Sequence, residues 1–332
     1  MSLQLEMSGI ALRGRRENAL KAISLRVEEG SLYALAGNRG SGNSQLLQIA
    51  AGLLRPDSGK VRVCGLDLAD RSARKRLPSK IGYMAAISGQ DPELTVLESM
   101  EFFSHAYGIT GLSGREAALR LLRETGMERL TDERCGTLPL SVRRKLDLVR
   151  TMLHRPKLLL LDRPFAGMDR REAASSRTIL RQAAAEGMTV VFTADTMAEC
   201  MNLCTEMTVL AGGRRIGAGT AGEIAARFRE RSPIYMEVAD GEEIVRQILS
   251  QEENVRAVTE DGKMFRFDFA GSPLEESELL CTMLEAGAVI PSFQRRLSVP
   301  EEALWEKEPS GILFGAETEE EENEENTSES GV

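Results

Sequence analysis

Hydrophobic and polar positions alternate through LQLEMSGIALR (residues 3–13) and ISLRVEE (23–29), the period of two expected of strands with one buried face. The next run, SLYALAG (31–37), is apolar almost throughout and ends in glycine. The loop GNRGSGNSQ (37–45) follows, and then SQLLQIAAGLL (44–54), whose apolar residues recur at helical spacing until Arg55-Pro56. Further on, PKLLLLD (156–162) and MTVVFTAD (188–195) are continuous apolar runs of strand length, separated by the helical stretch REAASSRTILRQAAAEG (171–187). Strands buried on both faces and alternating with helices predict a parallel sheet covered by helices. Residues 90–155 are richer in helix: TVLESMEFFSHAYG, REAALRLLRETG and SVRRKLDLVRTMLH read as a helical insertion between sheet strands. From about 233 the texture changes. IYMEVADG, EEIVRQILSQ, VRAVTEDGKMFRFDFAG with a turn at Asp261-Gly262, and LEESELLCTMLEAGA predict a small α+β unit.

Composition narrows the picture in three places. No run approaches the ~20 consecutive apolar residues that would span a bilayer, and MSLQLEMSGIALRGRR lacks the basic start, apolar middle and cleavage site of a signal peptide. The expectation is a cytoplasmic protein. The five cysteines show no CxxC and no metal-like spacing to the two histidines, His105 and His154. Cys200 and Cys204, one helical turn apart, are expected to pack in a reduced protein. Net charge is −9, but the segment from Glu317 to Val332 holds eight glutamates and no Lys or Arg, and removing it leaves −1. The run ETEEEENEENTSES reads as a solvated tail, and nothing points to nucleic acid.

Glycine is common enough, 30 of 332 residues, that the loop alone says little. A strand, a glycine loop and a helix in that order is nevertheless the setting in which a phosphate loop works. Other pieces follow in a telling order: VCGLDL (63–68), IGYM (81–84), DPELTVLESMEFF (91–103), RRKLDLVRTMLHRPKLLLLDRPFAGMD (143–169), TVVFTADTMAEC (189–200) and LAGGRRIGAGTAGEI (210–224). Together they resemble the ATP-binding cassette (nucleotide-binding) subunit of ABC transporters, in particular those of ABC-2-type exporters, over about residues 1–228. The unit at 233–308 more weakly resembles the accessory domain found after such cassettes, and 309–332 would be an acidic disordered tail. The resemblance implies an α/β, P-loop NTPase-like fold: a mostly parallel sheet, antiparallel β strands at the N-terminus, and a helical subdomain at about 87–155. It also implies ATP and Mg as cofactors, an integral-membrane permease and a second cassette as partners, and a place at the inner face of the cell membrane.

Residue by residue, the match is uneven. Gly37, Gly40, Gly42 and Ser44 keep the family's loop pattern, and the implied nucleotide contacts are Gly37, Asn38, Gly40, Ser41, Gly42, Asn43, Ser44 and Gln45. Asn43 stands where the family has lysine. A missing charge-assisted hydrogen bond is worth roughly 1.5–3 kcal/mol, a loss of about tenfold to a hundredfold in affinity. Asp162 ends its apolar strand as the family requires and is expected to share Mg with Ser44 through oxygen ligands. The next residue, where the family keeps the glutamate that polarises water, is Arg163, whose guanidinium cannot accept a proton. The family's switch histidine falls on Asp195 and its loop glutamine on Ala86, with Gln90 nearby. The signature falls on Leu138, Pro139, Leu140, Ser141 and Val142, without its glycines. No Phe, Tyr or Trp precedes Tyr33 to stack on adenine. Asp169, in AGMD, keeps the interface-loop aspartate. So many departures together predict a cassette with weak or no hydrolysis and a structural or regulatory role. Hydrolysis by a rearranged site, or a scaffold that has left transport, are the alternatives. Opposite charges at 163 and 195 further predict an ion pair across the phosphate pocket.

Overall fold

The computed structural model describes residues 2–14, 19–196, 199–200, 203–224 and 233–295. The expected tail and residues 296–308 of the last unit therefore lie outside the described residues. A four-stranded antiparallel sheet, ordered β2-β1-β4-β5, is built from β1 (Leu3–Leu12), β2 (Leu20–Glu28), β4 (Ser58–Val63) and β5 (Leu66–Asp67). Its alternating pattern buries Leu5, Met7 and Ile10 from β1 against Ile23, Leu25 and Val27 from β2.

The second sheet has six strands in the order β10-β9-β3-β8-β7-β6. They are β3 (Leu32–Ala36), β6 (Ile81–Met84), β7 (Leu158–Leu161), β8 (Thr189–Ala194), β9 (Glu206–Ala211) and β10 (Arg214–Thr220). Five run parallel, and only β10 is antiparallel to its neighbour. All residues of β3, β7 and β8 are buried, as a sheet covered on both faces demands.

Helices α1 (Asn43–Ala50), α2 (Arg71–Arg76) and α6 (Arg170–Ala185) belong to this body. α1 is shorter than its apolar spacing suggests, because Gly52 takes a left-handed φ of 72° and the N–H groups of Leu53 and Leu54 turn back to the Gln48 carbonyl. The expected helical region holds α3 (Val96–Ala106), α4 (Leu112–Glu124) and α5 (Leu140–Arg150), packed around Val96, Met100, Leu122, Leu146 and Val149. The stretch Leu112 to Gly114 opens α4.

The last unit is β11 (Ile234–Glu237), α7 (Glu242–Gln251), β12 (Val255–Asp261), β13 (Met264–Phe269), α8 (Pro273–Glu285) and β14 (Ser292–Arg295), with sheet order β12-β13-β11-β14. A βαββαβ chain whose first and third strands lie side by side at the centre is the split βαβ, or ferredoxin-like, arrangement. Phe265, Phe267 and Phe269 alternate on the face that meets Val245, Leu249 and Met283.

Candidate active site

Three adjacent parallel strands, β3, β8 and β7, end side by side, and the segments leaving their carboxyl ends carry the expected site residues. Such a line of strand ends is where open α/β sheets bind ligands. Gly37 follows β3, Asp162 and Arg163 follow β7, and Asp195 follows β8. The Gly37 N–H donates to the Ala194 carbonyl at 3.2 Å, which places Asp195 one residue from the glycine loop.

The loop needs its glycines. A Cβ on Gly37 would lie 2.4 Å from the Leu210 carbonyl oxygen and 2.8 Å from Ser41 Oγ. Gly42 has φ 102°, and a Cβ there would meet Leu20 Cδ2 at 2.4 Å. Gly42 caps α1, whose first turn offers N–H groups without intrahelical partners, the usual attraction for an anion. Ser41 is buried, and among the described residues its Oγ has no hydrogen-bond partner. Asn43 does not reach outward: it is 7% exposed, its Nδ2 donates to the Gly37 carbonyl at 3.3 Å, and among the described residues its Oδ1 has no partner. The amide therefore braces the loop from within, where a lysine would extend to a ligand.

Ser44 Oγ donates to Asp162 Oδ1 at 3.0 Å, and Asp162 is 2% exposed. This pair of hard oxygen donors beside a glycine cradle fits a magnesium-bound phosphate, so Ser44 and Asp162 would hold the metal that draws charge from the phosphates. Thr193, which the motif comparison missed, ties the site together. Its hydroxyl donates to Asp162 Oδ1 at 2.9 Å and accepts from the Arg163 N–H at 2.8 Å. The signal was a polar residue near the end of a buried strand.

Arg163 and Asp195 form the expected ion pair, with NH2 on Asp195 Oδ2. Arg163 has φ 51°, a left-handed conformation that β-carbon sterics disfavour by roughly 1–2 kcal/mol. Its carbonyl accepts from Arg144 NH2 at 3.0 Å, so both sides of the strained peptide are held. Burial, and then the nearby Asp195 carboxylate, push Glu199 above the usual carboxylate range.

Ala86 is exposed. Gln90, the nearby glutamine, is committed elsewhere: its Nε2 donates to the Arg143 carbonyl at 3.0 Å and to Asp147 Oδ1 at 3.1 Å. Asp147 is buried and also faces Arg150 at 3.2 Å and Arg144 at 3.7 Å. This network was not foreseen. Its only trace in the sequence was charge on the inward face of α5.

Leu138 to Val142 form the entrance to α5. Pro139 caps the helix without a side-chain hydrogen bond, and Leu140 is 53% exposed, its Cδ2 lying 3.1 Å from where a Gly167 Cβ would be. A bulky side chain thus covers the end that glycines would leave bare. Asp169 Oδ1 accepts from the Glu172 N–H at 2.9 Å, capping α6. That bond, and the Ser141 hydroxyl, hold Asp169 below the usual carboxylate range.

Comparison with known proteins agrees with this geometry. The family model described as ABC transporter matches residues 20–166. The chain is 32% identical over 226 residues to a probable sulfate/thiosulfate import ATP-binding protein of Chlorella vulgaris, covering 68% of this chain and 94% of that one. It is 30% identical over 200 residues to a Nod factor export ATP-binding protein I of Burkholderia orbicola, covering 60% of this chain but only 65% of the length of that protein. Among solved structures, an ATP-binding subunit of an ABC transporter superposes with a TM-score of 0.59 at 25% identity, over 68% of this chain and 93% of that one.

Proposed function

This chain belongs to the ABC transporter family, and from that premise we propose that it is an ATP-binding cassette subunit that holds Mg-ATP weakly and hydrolyses it poorly or not at all. The cassette would occupy residues 1–228 and an accessory domain 233–308. The observation that carries the reading is the Arg163–Asp195 ion pair beside Asp162. The position that would need a base to activate water holds a permanent cation already engaged by a carboxylate. General-base catalysis supplies about 10²–10⁴-fold, and a guanidinium that stays protonated cannot supply it.

The role that follows is structural or regulatory. The chain would dock on an integral-membrane permease and pair with a second cassette. Leu140 at the mouth of α5 makes it a poor donor of the signature contact to that partner. Among the described residues no helix is long and apolar enough to cross a membrane, so attachment to the inner face of the cell membrane would come through the permease. A second reading, ATP hydrolysis by a rearranged site, draws on the retained Ser44–Asp162 contact.

The test is a titration of the purified chain with Mg-ATP, following binding and phosphate release in one sample. Binding without release is expected. Brisk release, lost on Asp162→Ala, would establish the second reading instead. The change Asn43→Lys is expected to tighten binding about tenfold or more without restoring full turnover, because Arg163 still stands where a base would be needed and the α5 entrance stays unaltered.

A further inference from the structure

Resting on the reading above, we infer that Arg163 is the cationic phosphate contact of this site, and that Asp195 and a bound polyphosphate compete for its guanidinium. Asn43 cannot serve, since its amide is turned onto the Gly37 carbonyl. Arg163 immediately follows Asp162, whose carboxylate already holds Ser44 of the phosphate loop. Its partner Asp195 immediately follows Ala194, whose carbonyl accepts from the loop's first N–H. The guanidinium thus lies over the strand ends from which the loop and the metal-binding carboxylate both emerge.

The way Arg163 is held supports exchange. Its backbone is fixed at both ends, by Thr193 and by Arg144, in a left-handed conformation. Among the described residues the guanidinium hydrogen-bonds to Asp195, and its Nε is buried without a hydrogen-bond partner. A planar fork with a donor to spare is matched to the several oxygens of a phosphate better than to one carboxylate. The side chains of Arg163 and Asp195 are 25% and 34% exposed. Solvent reaches both groups and screens their attraction in part, so the several contacts a polyphosphate would make can offset the release of Asp195.

Dissociation constants for Mg-ATP and for inorganic tripolyphosphate test this on the full-length chain. Arg163→Gln is expected to weaken both about tenfold or more, Arg163→Lys to restore part of the loss, and Asp195→Asn to tighten both several-fold. In the double variant Arg163→Gln/Asp195→Asn the tightening should vanish, because the competition it relieves is gone. Thermal melting of each variant separates lost contact from lost fold. Unchanged affinity in folded Arg163→Gln, or unchanged affinity in Asp195→Asn, overturns the inference. So does absence of any binding to the wild type at millimolar concentrations, which also removes the weak binding of the proposed function and leaves only its lack of hydrolysis. Phosphate release by the wild type with Arg163→Gln still weakened would do the reverse.

Discussion

At the scale of single residues, the chemistry turns on where charge is buried and with what. Asp147 receives Gln90, Arg150 and Arg144 in a pocket where it is 1% exposed, and Arg144 in turn reaches the carbonyls of Ala85 and Arg163. Truncating the carboxylate would leave the buried guanidinium groups of Arg144 and Arg150 without the charge that pairs them. Asp147→Ala is therefore expected to cost about 3–5 kcal/mol, read as a lowered midpoint in urea, and an unchanged midpoint would show that the network carries no stability. Asn43, Arg163 and Asp195 were legible in the sequence because their positions are fixed by distance from an apolar strand or a glycine loop. Thr193, Arg144 and Asp147 were not. A threonine near a strand end and charges on a helix are ordinary until the neighbouring elements are in place.

Elements meet at His154, where sequence offered only a histidine without metal-like company. Tyr107, just past α3, stacks on its ring at 3.7 Å between centroids, and His154 Nε2 donates to the Ile81 carbonyl at the start of β6 at 2.9 Å. Burial lowers its pKa below the ordinary value of 6.5, the Ile81 bond opposing only in part. The unfolded chain therefore binds a proton at a higher pH than the folded one. The stability linked to this ring is whole above about pH 6.5 and is lost as pH falls through the folded-state pKa. His154→Phe, which keeps a ring for the stack but does not titrate, should show a smaller drop in melting temperature between pH 7.5 and 5.5 than the wild type. An equal drop would assign the acid sensitivity elsewhere. The order of strands and helices was readable because burial on one or both faces leaves a periodic trace. The early end of α1 was not read in advance, since its apolar spacing runs on past Gly52 and only the left-handed turn there stops it.

For the whole molecule, the proposed function predicts how the chain behaves alone. With Leu140 covering the entrance of α5 and no lysine in the loop, two copies would bring together no complete composite site. Size-exclusion chromatography with saturating Mg-ATP should show the same elution as without it, and an ATP-driven dimer of the chain by itself would contradict the reading. The βαββαβ order of the last unit emerged only on folding, because alternation predicts strands but not which strands lie side by side. The sequence by itself determined which groups stand after β7 and β8 and which cation the loop lacks, since each is a matter of identity at a counted position along one chain. Tertiary structure alone decided that Asn43 turns inward, that Thr193 ties Asp162 to the Arg163 backbone, and that Gln90 is spent on α5. A side chain chooses among partners by proximity and desolvation, and both exist only once strands and helices from distant parts of the chain have packed together.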